Sequence, residues 1–484
     1  MTTSEEEPVT QHALDPDATA FATRRVTLRD RIITIVAGLL TRAFFRSVEV
    51  EGSPPPPGPV VLAASHLYGF VDPVLLVAEL GILPRFLAKA TLWDTAVARP
   101  LLGFARVIPV HRRADGASGD DNASMFADAV AALEGGSMLA LFPEGTTHDD
   151  PSIRPLRTGA ARIAIQAAGS GVQGVSIVPV GVTYEDKVAV RGRAIVSYGT
   201  PIEVPSGALL GPDGEPLHEQ VRELTDHLQR EIQALTPHFD TTEEALALGA
   251  AATMTLHEER AAQTAVPLAE VNSTARRLAL VEPAQRNALV SLVARYRMLL
   301  GFVGIDDVDV QRGISLTALA RKIAVIAVVV TFLSPVALAG LLANIVPVAL
   351  VLIAGLIPKA PVSKGTIRVL VAAVAFPATW LTLAFADARP GAFGDLLRSI
   401  TLPVETLLGS AHHDRLGAVA NLVVLVAVPL MGVLAMFVVE RIRVLVDTIV
   451  RWRTFLDRRG QMDEVRERRR EVVELTRRML EQAS

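Results

Sequence analysis

The sequence predicts an α/β domain with a largely parallel sheet, followed by a helical region and a C-terminal α-helical transmembrane domain. Three observations carry this. Short apolar runs alternate with helical patterns from about residue 48 to 205. An amphipathic helix over 216–238 then leads into a mostly helical stretch up to 313. The last third holds three long runs without a single charged residue.

In chain order, residues 1–23 read as a disordered, solvated tail, because Glu5, Glu6, Glu7, Asp15 and Asp17 leave no apolar core. This start lacks the basic then apolar pattern of a secretory signal. Residues 24–47 form an apolar helix flanked by Arg24, Arg25, Arg29, Arg31 and Arg46. It is shorter than the roughly 20 residues that a bilayer span needs, so it is read either as an interfacial amphipathic helix or as a helix covering the core. Ser53 to Pro59 is a stiff proline loop. Strands are then expected at Val60–Ala64, Val107–Val110, Met138–Phe142, Ile177–Thr183 and Ala194–Tyr198, and helices at Val74–Leu83 and Thr158–Ala168. Leu217, Val221, Leu224, Leu228, Ile232 and Leu235 recur at three- and four-residue steps and close this domain at about residue 238. Residues 239–321 form a helical connecting region without a chemical motif.

Membrane helices are expected over 322–440. Ile323–Pro358, Val369–Ala386 and Leu416–Val439 carry no charge, and runs of 18 or more such residues read as spans. The first run has natural break points at Pro335, Gly340, Asn344 and Pro347, which suit a re-entrant hairpin. Residues 441–484 return to a charged helix rich in arginine. Lys359, Lys364 and Arg368 together with this arginine-rich end favour the cytosolic side. The expected topology is an even number of crossings, most simply four, with the catalytic domain in the cytosol.

Composition limits the chemistry. Half of the 484 residues are hydrophobic and the net charge is only -4, so no nucleic-acid footprint stands out. There is no cysteine, which excludes a thiol nucleophile, a Cys-bound zinc and any disulfide framework. No sequence feature defines an oligomeric state.

Two motifs carry candidate chemistry. In Ser65-His66-Leu67-Tyr68-Gly69-Phe70-Val71-Asp72-Pro73, a histidine follows a strand, where α/β folds place reactive groups. Asp72 lies six positions on; one continuous helix would not put both on one face, but a turn at Gly69 can bring the carboxylate to the ring. Such a carboxylate fixes the tautomer and frees the other nitrogen as a base. Asp72-Pro73 also suits an ordinary helix start, with Asp as cap and Pro in the first turn. The second motif, Phe142-Pro143-Glu144-Gly145-Thr146-Thr147-His148, ends a buried strand in a loop whose amides suit phosphate, with Arg154 and Arg157 nearby. A plain turn with a solvated carboxylate is the alternative.

These motifs, with Val107-Ile108-Pro109-Val110-His111-Arg112 and Ile177-Val178-Pro179-Val180-Gly181-Val182, resemble the ordered blocks of the glycerolipid acyltransferase family, over about residues 45–205. That family includes glycerol-3-phosphate, dihydroxyacetone-phosphate and lysophosphatidate acyltransferases. The resemblance implies that His66 is the general base and Asp72 its orienting partner. It implies that Arg112, Glu144, Gly145 and Thr146 hold the acceptor's phosphate and backbone, and that Pro179 belongs to the acyl-donor side. Two departures stand out. Five residues separate His66 from Asp72, where the common form has four, and Thr147 replaces an arginine. The branch with the longer gap continues through Thr147-His148-Asp149 to Pro155-Leu156-Arg157-Thr158-Gly159, so Arg157 is expected to supply the missing charge.

The expected activity is transfer of a fatty acyl group from acyl-CoA or acyl carrier protein to glycerol-3-phosphate or a lysophosphatidate-type acceptor. No metal or redox cofactor is implied. The expected partners are the lipid bilayer and these co-substrates. Two rivals are an inactive lipid-binding scaffold and a membrane transporter with a regulatory soluble domain. The near absence of charge in the apolar runs speaks against a transport path.

Overall fold

The computed structural model describes residues 27–94, 98–111, 123–185, 191–206, 210–212, 214–260, 266–312, 316–356, 361–385, 413–457 and 459–482. The 1–23 tail, Arg112 and most of 387–415 lie outside them. In chain order the first elements are α1 (Leu28–Phe44), β1 (Phe45–Glu51), β2 (Val60–Ala64), α2 (Val71–Leu80), β3 (Arg85–Lys89), α3 (Ala98–Phe104), β4 (Ile108–Val110) and α4 (Ala123–Glu134). They are followed by β5 (Leu139–Leu141), α5 (Gly159–Gly169), β6 (Ser176–Tyr184), β7 (Gly192–Tyr198), β8 (Ile202–Glu203) and α6 (His218–Leu235).

The strands form one sheet in the order β1-β7-β6-β2-β5-β3-β4, with β8 alongside β6. All pairs are parallel except β6–β7 and β6–β8. β2 is buried along its whole length, as a central parallel strand covered on both faces should be. Its residues alternate between two cores. Val61 and Ala63 join Ala129, Leu133, Ile163 and Leu228 beneath α4–α6, while Val60, Leu62 and Ala64 join Leu75, Leu76 and Val180 beneath α1 and α2. Pro179 sits mid-sheet without disrupting it. Its carbonyl accepts from Gly199 N–H at 2.9 Å, so its nitrogen faces the corner between β7 and β8, where no ladder donor is needed.

Three strands, β1, β3 and the two-residue β8, escaped the sequence reading, and α2 begins three residues earlier than expected. β1 (Phe-Arg-Ser-Val-Glu-Val-Glu) is a half-exposed edge strand and has no apolar run to betray it. The early start of α2 corrects the reading of Asp72 as a helix cap. Phe70 occupies the cap position, and Asp72 and Pro73 lie inside the first turn, where a missing N–H costs nothing.

Helices α7 (Thr242–Glu259), α8 (Leu268–Ala279), α9 (Pro283–Val303) and α10 (Asp307–Arg312) follow. Beyond them come α11 (Leu316–Ala343), α12 (Ile345–Ala354), α13 (Pro361–Ala384), α14 (His413–Asp457) and α15 (Met462–Gln482). Ile323–Ala343 and Asn421–Thr454 are long and apolar enough to cross a membrane; Ile345–Ala354 and Leu370–Ala384 are shorter apolar helices. Their outward side chains, among them Phe332, Leu352, Leu422 and Leu430, are exposed. The helical path breaks at Asn344, inside the Gly340–Asn344 window. There the Asn344 amide donates to Gly340 O at 2.8 Å and accepts from Trp380 Nε1 at 2.8 Å. Met431 and Gly432 of α14 press on this corner so closely that a Cβ on Gly340 would lie 2.2 Å from Met431 O.

A third core joins α7–α10 to α15. Leu248, Leu278, Val293 and Tyr296 meet Val465, Val472 and Met479. At its centre Arg469, buried, donates to Asp307 at 2.9 Å and to Glu258, and Tyr296 donates to Asp307 at 2.6 Å. The buried phenol of Tyr296 is raised above the ordinary tyrosine value, first by burial and then by Asp307. Ala269 N–H donates to Glu49 Oε2 at 3.1 Å and ties this helical core to the open edge of β1.

Candidate active site

β2 and β5 run parallel and stop side by side, Ala63 opposite Leu141, so the loops that follow them emerge together at the carboxyl end of the sheet. The first loop carries His66. The second carries Glu144 to His148.

His66 is held at three points. Its ring Nδ1 lies 2.8 Å from Asp72 Oδ2, its backbone N–H donates to Glu144 Oε1 at 2.7 Å, and its ring stacks on Phe142 at 4.0 Å between centroids. Gly69 makes the intervening turn with φ 59°, a value that glycine adopts without strain. Asp72 is fully buried, and its Oδ2 also accepts from Tyr68 N–H at 2.9 Å. Its other oxygen, Oδ1, accepts from the hydroxyl of Tyr184. A carboxylate in these surroundings accepts a hydrogen bond from Nδ1–H, which leaves Nε2 of the neutral imidazole without a proton. Nε2 has no hydrogen-bond partner among the described residues, and the side chain is 17% exposed.

Glu144, which the family resemblance assigns to the acceptor, turns inward between the two loops. It is buried, and both of its oxygens are engaged within the protein. Oε1 receives His66 N–H; Oε2 receives Arg154 N–H at 2.8 Å and the ring of His148. His148 accepts from Asp150 N–H at 3.2 Å on Nδ1, so it is the Nε2–H that donates to Glu144. This carboxylate therefore organises two loops and leaves no oxygen facing outward. Gly145 has φ 71°, and a Cβ there would stand 2.5 Å from Arg157 Nε, so the arginine lies directly across the bare glycine. Thr146 and Arg157 are exposed, whereas the guanidinium of Arg154 is bound to Asp150 at 2.7 Å. Pro179 lies buried in β6, one strand away. Among the described residues no three His, Asp or Glu side chains are grouped to hold a metal ion.

A histidine whose one nitrogen is fixed by a buried carboxylate and whose other nitrogen is open has the geometry that general-base chemistry needs. Residues 47–183, which contain it, match the family Acyltransferase. Two yeast proteins are similar over part of this region. Glycerol-3-phosphate O-acyltransferase 2 of Saccharomyces cerevisiae is 33% identical over 126 residues, 26% of this chain and 16% of its own. Glycerol-3-phosphate O-acyltransferase 1 of the same yeast is 33% identical over 100 residues, 20% of this chain and 13% of its own. The chain thus matches less than a fifth of the length of these relatives. Among solved structures, a 1-acyl-sn-glycerophosphate acyltransferase, PlsC, of Thermotoga maritima aligns with TM-score 0.31 and 20% identity, over 42% of this chain and 78% of that one. The resemblance carried by the four sequence blocks is the one these comparisons find.

Proposed function

We propose that this chain is a membrane-anchored glycerolipid O-acyltransferase that moves a fatty acyl group from a thioester to a glycerol-phosphate hydroxyl. The observation that carries the reading is the 2.8 Å contact between His66 Nδ1 and buried Asp72, with Nε2 open, inside the acyltransferase-matching segment. Nε2 removes the acceptor's hydroxyl proton as the oxygen attacks the thioester carbonyl. The tetrahedral adduct then expels the thiolate, and the imidazolium returns the proton to that sulfur. Asp72 stabilises the transient imidazolium, and general-base help of this kind is worth roughly 10²–10⁴-fold. Holding both substrates in line supplies further acceleration.

Arg157, Gly145 and Thr146 bind the acceptor's phosphate, a role that the open glycine and overlying guanidinium support. Arg112, which lies outside the described residues, shares this role by the family resemblance. Pro179 shapes the donor side from within the sheet rather than by touching the thioester, since it is buried. The apolar helices anchor the enzyme in the cell membrane with the sheet domain on the cytosolic face. The α1 face bearing Leu28, Ile32, Ile35 and Leu39 is exposed and lies against the bilayer surface. An ion pair at 3.1 Å between Arg191, next to α1, and Glu440 in α14 supports that placement.

The test is an acyl-transfer assay on the full chain in lipid. It offers glycerol-3-phosphate and lysophosphatidate in parallel, each with acyl-CoA and acyl carrier protein donors. Transfer that disappears in His66→Ala supports the reading, whereas lipid binding without transfer under any pairing points to the scaffold alternative.

A further inference from the structure

β6 outruns its neighbour. β2 stops at Ala64 opposite Val180, whereas β6 continues to Tyr184, held by antiparallel pairing with β7. The overhang stands beside the His66 loop and the first turn of α2. Val180, Val182 and Tyr184 alternate onto the face covered by α1 and α2. Ser65 pins the loop to this overhang: its Oγ accepts from Val182 N–H at 2.9 Å and donates to Val182 O at 3.3 Å. Two residues further along, Tyr184 reaches Asp72. Its ring is fixed by Phe45, stacked at 5.6 Å, and by Tyr68, edge-on at 5.3 Å.

We infer that Tyr184 is a positioning residue for the His66–Asp72 pair, its hydroxyl holding the carboxylate in the orientation that receives His66 Nδ1–H and drawing off part of its charge. Asp72 is cut off from solvent, so Oδ1 depends on a protein donor, and Tyr184 is the donor in place. Burial first, and then the adjoining Asp72, hold the phenol well above the ordinary tyrosine value, so it stays protonated and donates at every working pH. Asp72 meets this hydroxyl from α2 and Tyr68 packs on its ring from the loop, while Glu144, itself bound to His148, meets the His66 backbone from the loop after β5. Without the hydroxyl, the carboxylate's charge is concentrated on Oδ2, the protonated imidazole is favoured, and His66 becomes a base that is blocked at higher pH.

The rate part of this inference rests on the acyl-transfer reading; the geometric part does not. Both are tested with Tyr184→Phe in the full chain, which keeps the ring. Modification of His66 by diethylpyrocarbonate, followed by peptide mass spectrometry across pH, reports the neutral imidazole without any need for activity. The expected midpoint moves to higher pH in Tyr184→Phe. In the transfer assay kcat falls on the order of tenfold with both KM values unchanged. In an Asp72→Asn background the same substitution moves neither quantity further. An unmoved midpoint, or an additive loss in the Asp72→Asn background, overturns the inference. A moved midpoint in a protein that transfers no acyl group to any acceptor upholds the positioning role and removes the proposed function instead.

Discussion

Two of the buried polar centres of this molecule are built from opposite materials. At the sheet end, Asp72, Glu144, His66 and His148 form a network of charged and titratable groups. Among the apolar helices, Asn344 does a comparable job with a neutral amide, joining the break between α11 and α12 to Trp380 and to the α14 backbone at Val428. The sheet domain can keep carboxylates buried because backbone N–H groups at 2.7–2.9 Å and the Tyr184 phenol surround them. The apolar side chains of the helix corner offer no such donors to a charge, and the group buried there is neutral and hydrogen-bonded. The lesson is that buried polarity is spent as charge where chemistry needs it, and as a neutral hub where only shape is needed.

The comparison is broken most directly at His66. His66→Ala is expected to lower kcat by about 10²–10⁴-fold with little change in thermal unfolding, since the ring is partly exposed. Substituting its backbone anchor should do the reverse. Glu144→Ala strips a partner from His66 N–H, Arg154 N–H and His148 at once and is expected to destabilise the protein by about 3–5 kcal/mol in denaturant melts, taking activity with it. Arg157→Ala should raise KM for the phosphorylated acceptor by an amount worth about 1.5–3 kcal/mol while KM for the donor holds steady. An unchanged acceptor KM would assign Arg157 to packing on Gly145. The smallest effect belongs to the helix corner. Asn344→Ala is expected to cost about 1–2 kcal/mol in detergent unfolding, and Asn344→Asp to cost more, because it adds a charge where none is accommodated. Equal losses for the two would show that water reaches this corner.

Parts of this were legible in the sequence. The buried strands β2, β5 and β6 are apolar runs, and the uncharged stretches announce their helices without help from packing. The His66–Asp72 meeting could be argued from Gly69, because a turn closes a six-residue gap locally. Tyr184 could not: its link to Asp72 spans 112 positions and exists only because β6 outlasts β2. Glu144 was recognisable as a site residue, but its inward orientation depends on two loops that meet only after the sheet has formed. β1 and β3 lack the apolar runs of the central strands. Their pairing is supplied by neighbours distant in sequence, Gly192–Ser197 for β1 and Ile108–Val110 for β3, and the one local signal is the short alternation Val48-Glu49-Val50-Glu51 in β1.

The core around Arg469 has a consequence for the order in which the chain is made. Its two halves, α7–α10 and α15, are separated in synthesis by every apolar helix of the molecule. The first half therefore emerges with Leu248, Leu278 and Val293 lacking their partners, and stays open until α11 to α14 have been made. Only then can Val465, Val472 and Met479 close the gap and Arg469 find Asp307 and Glu258. A chain cut short before α15 thus leaves an apolar surface uncovered and two carboxylates without their guanidinium.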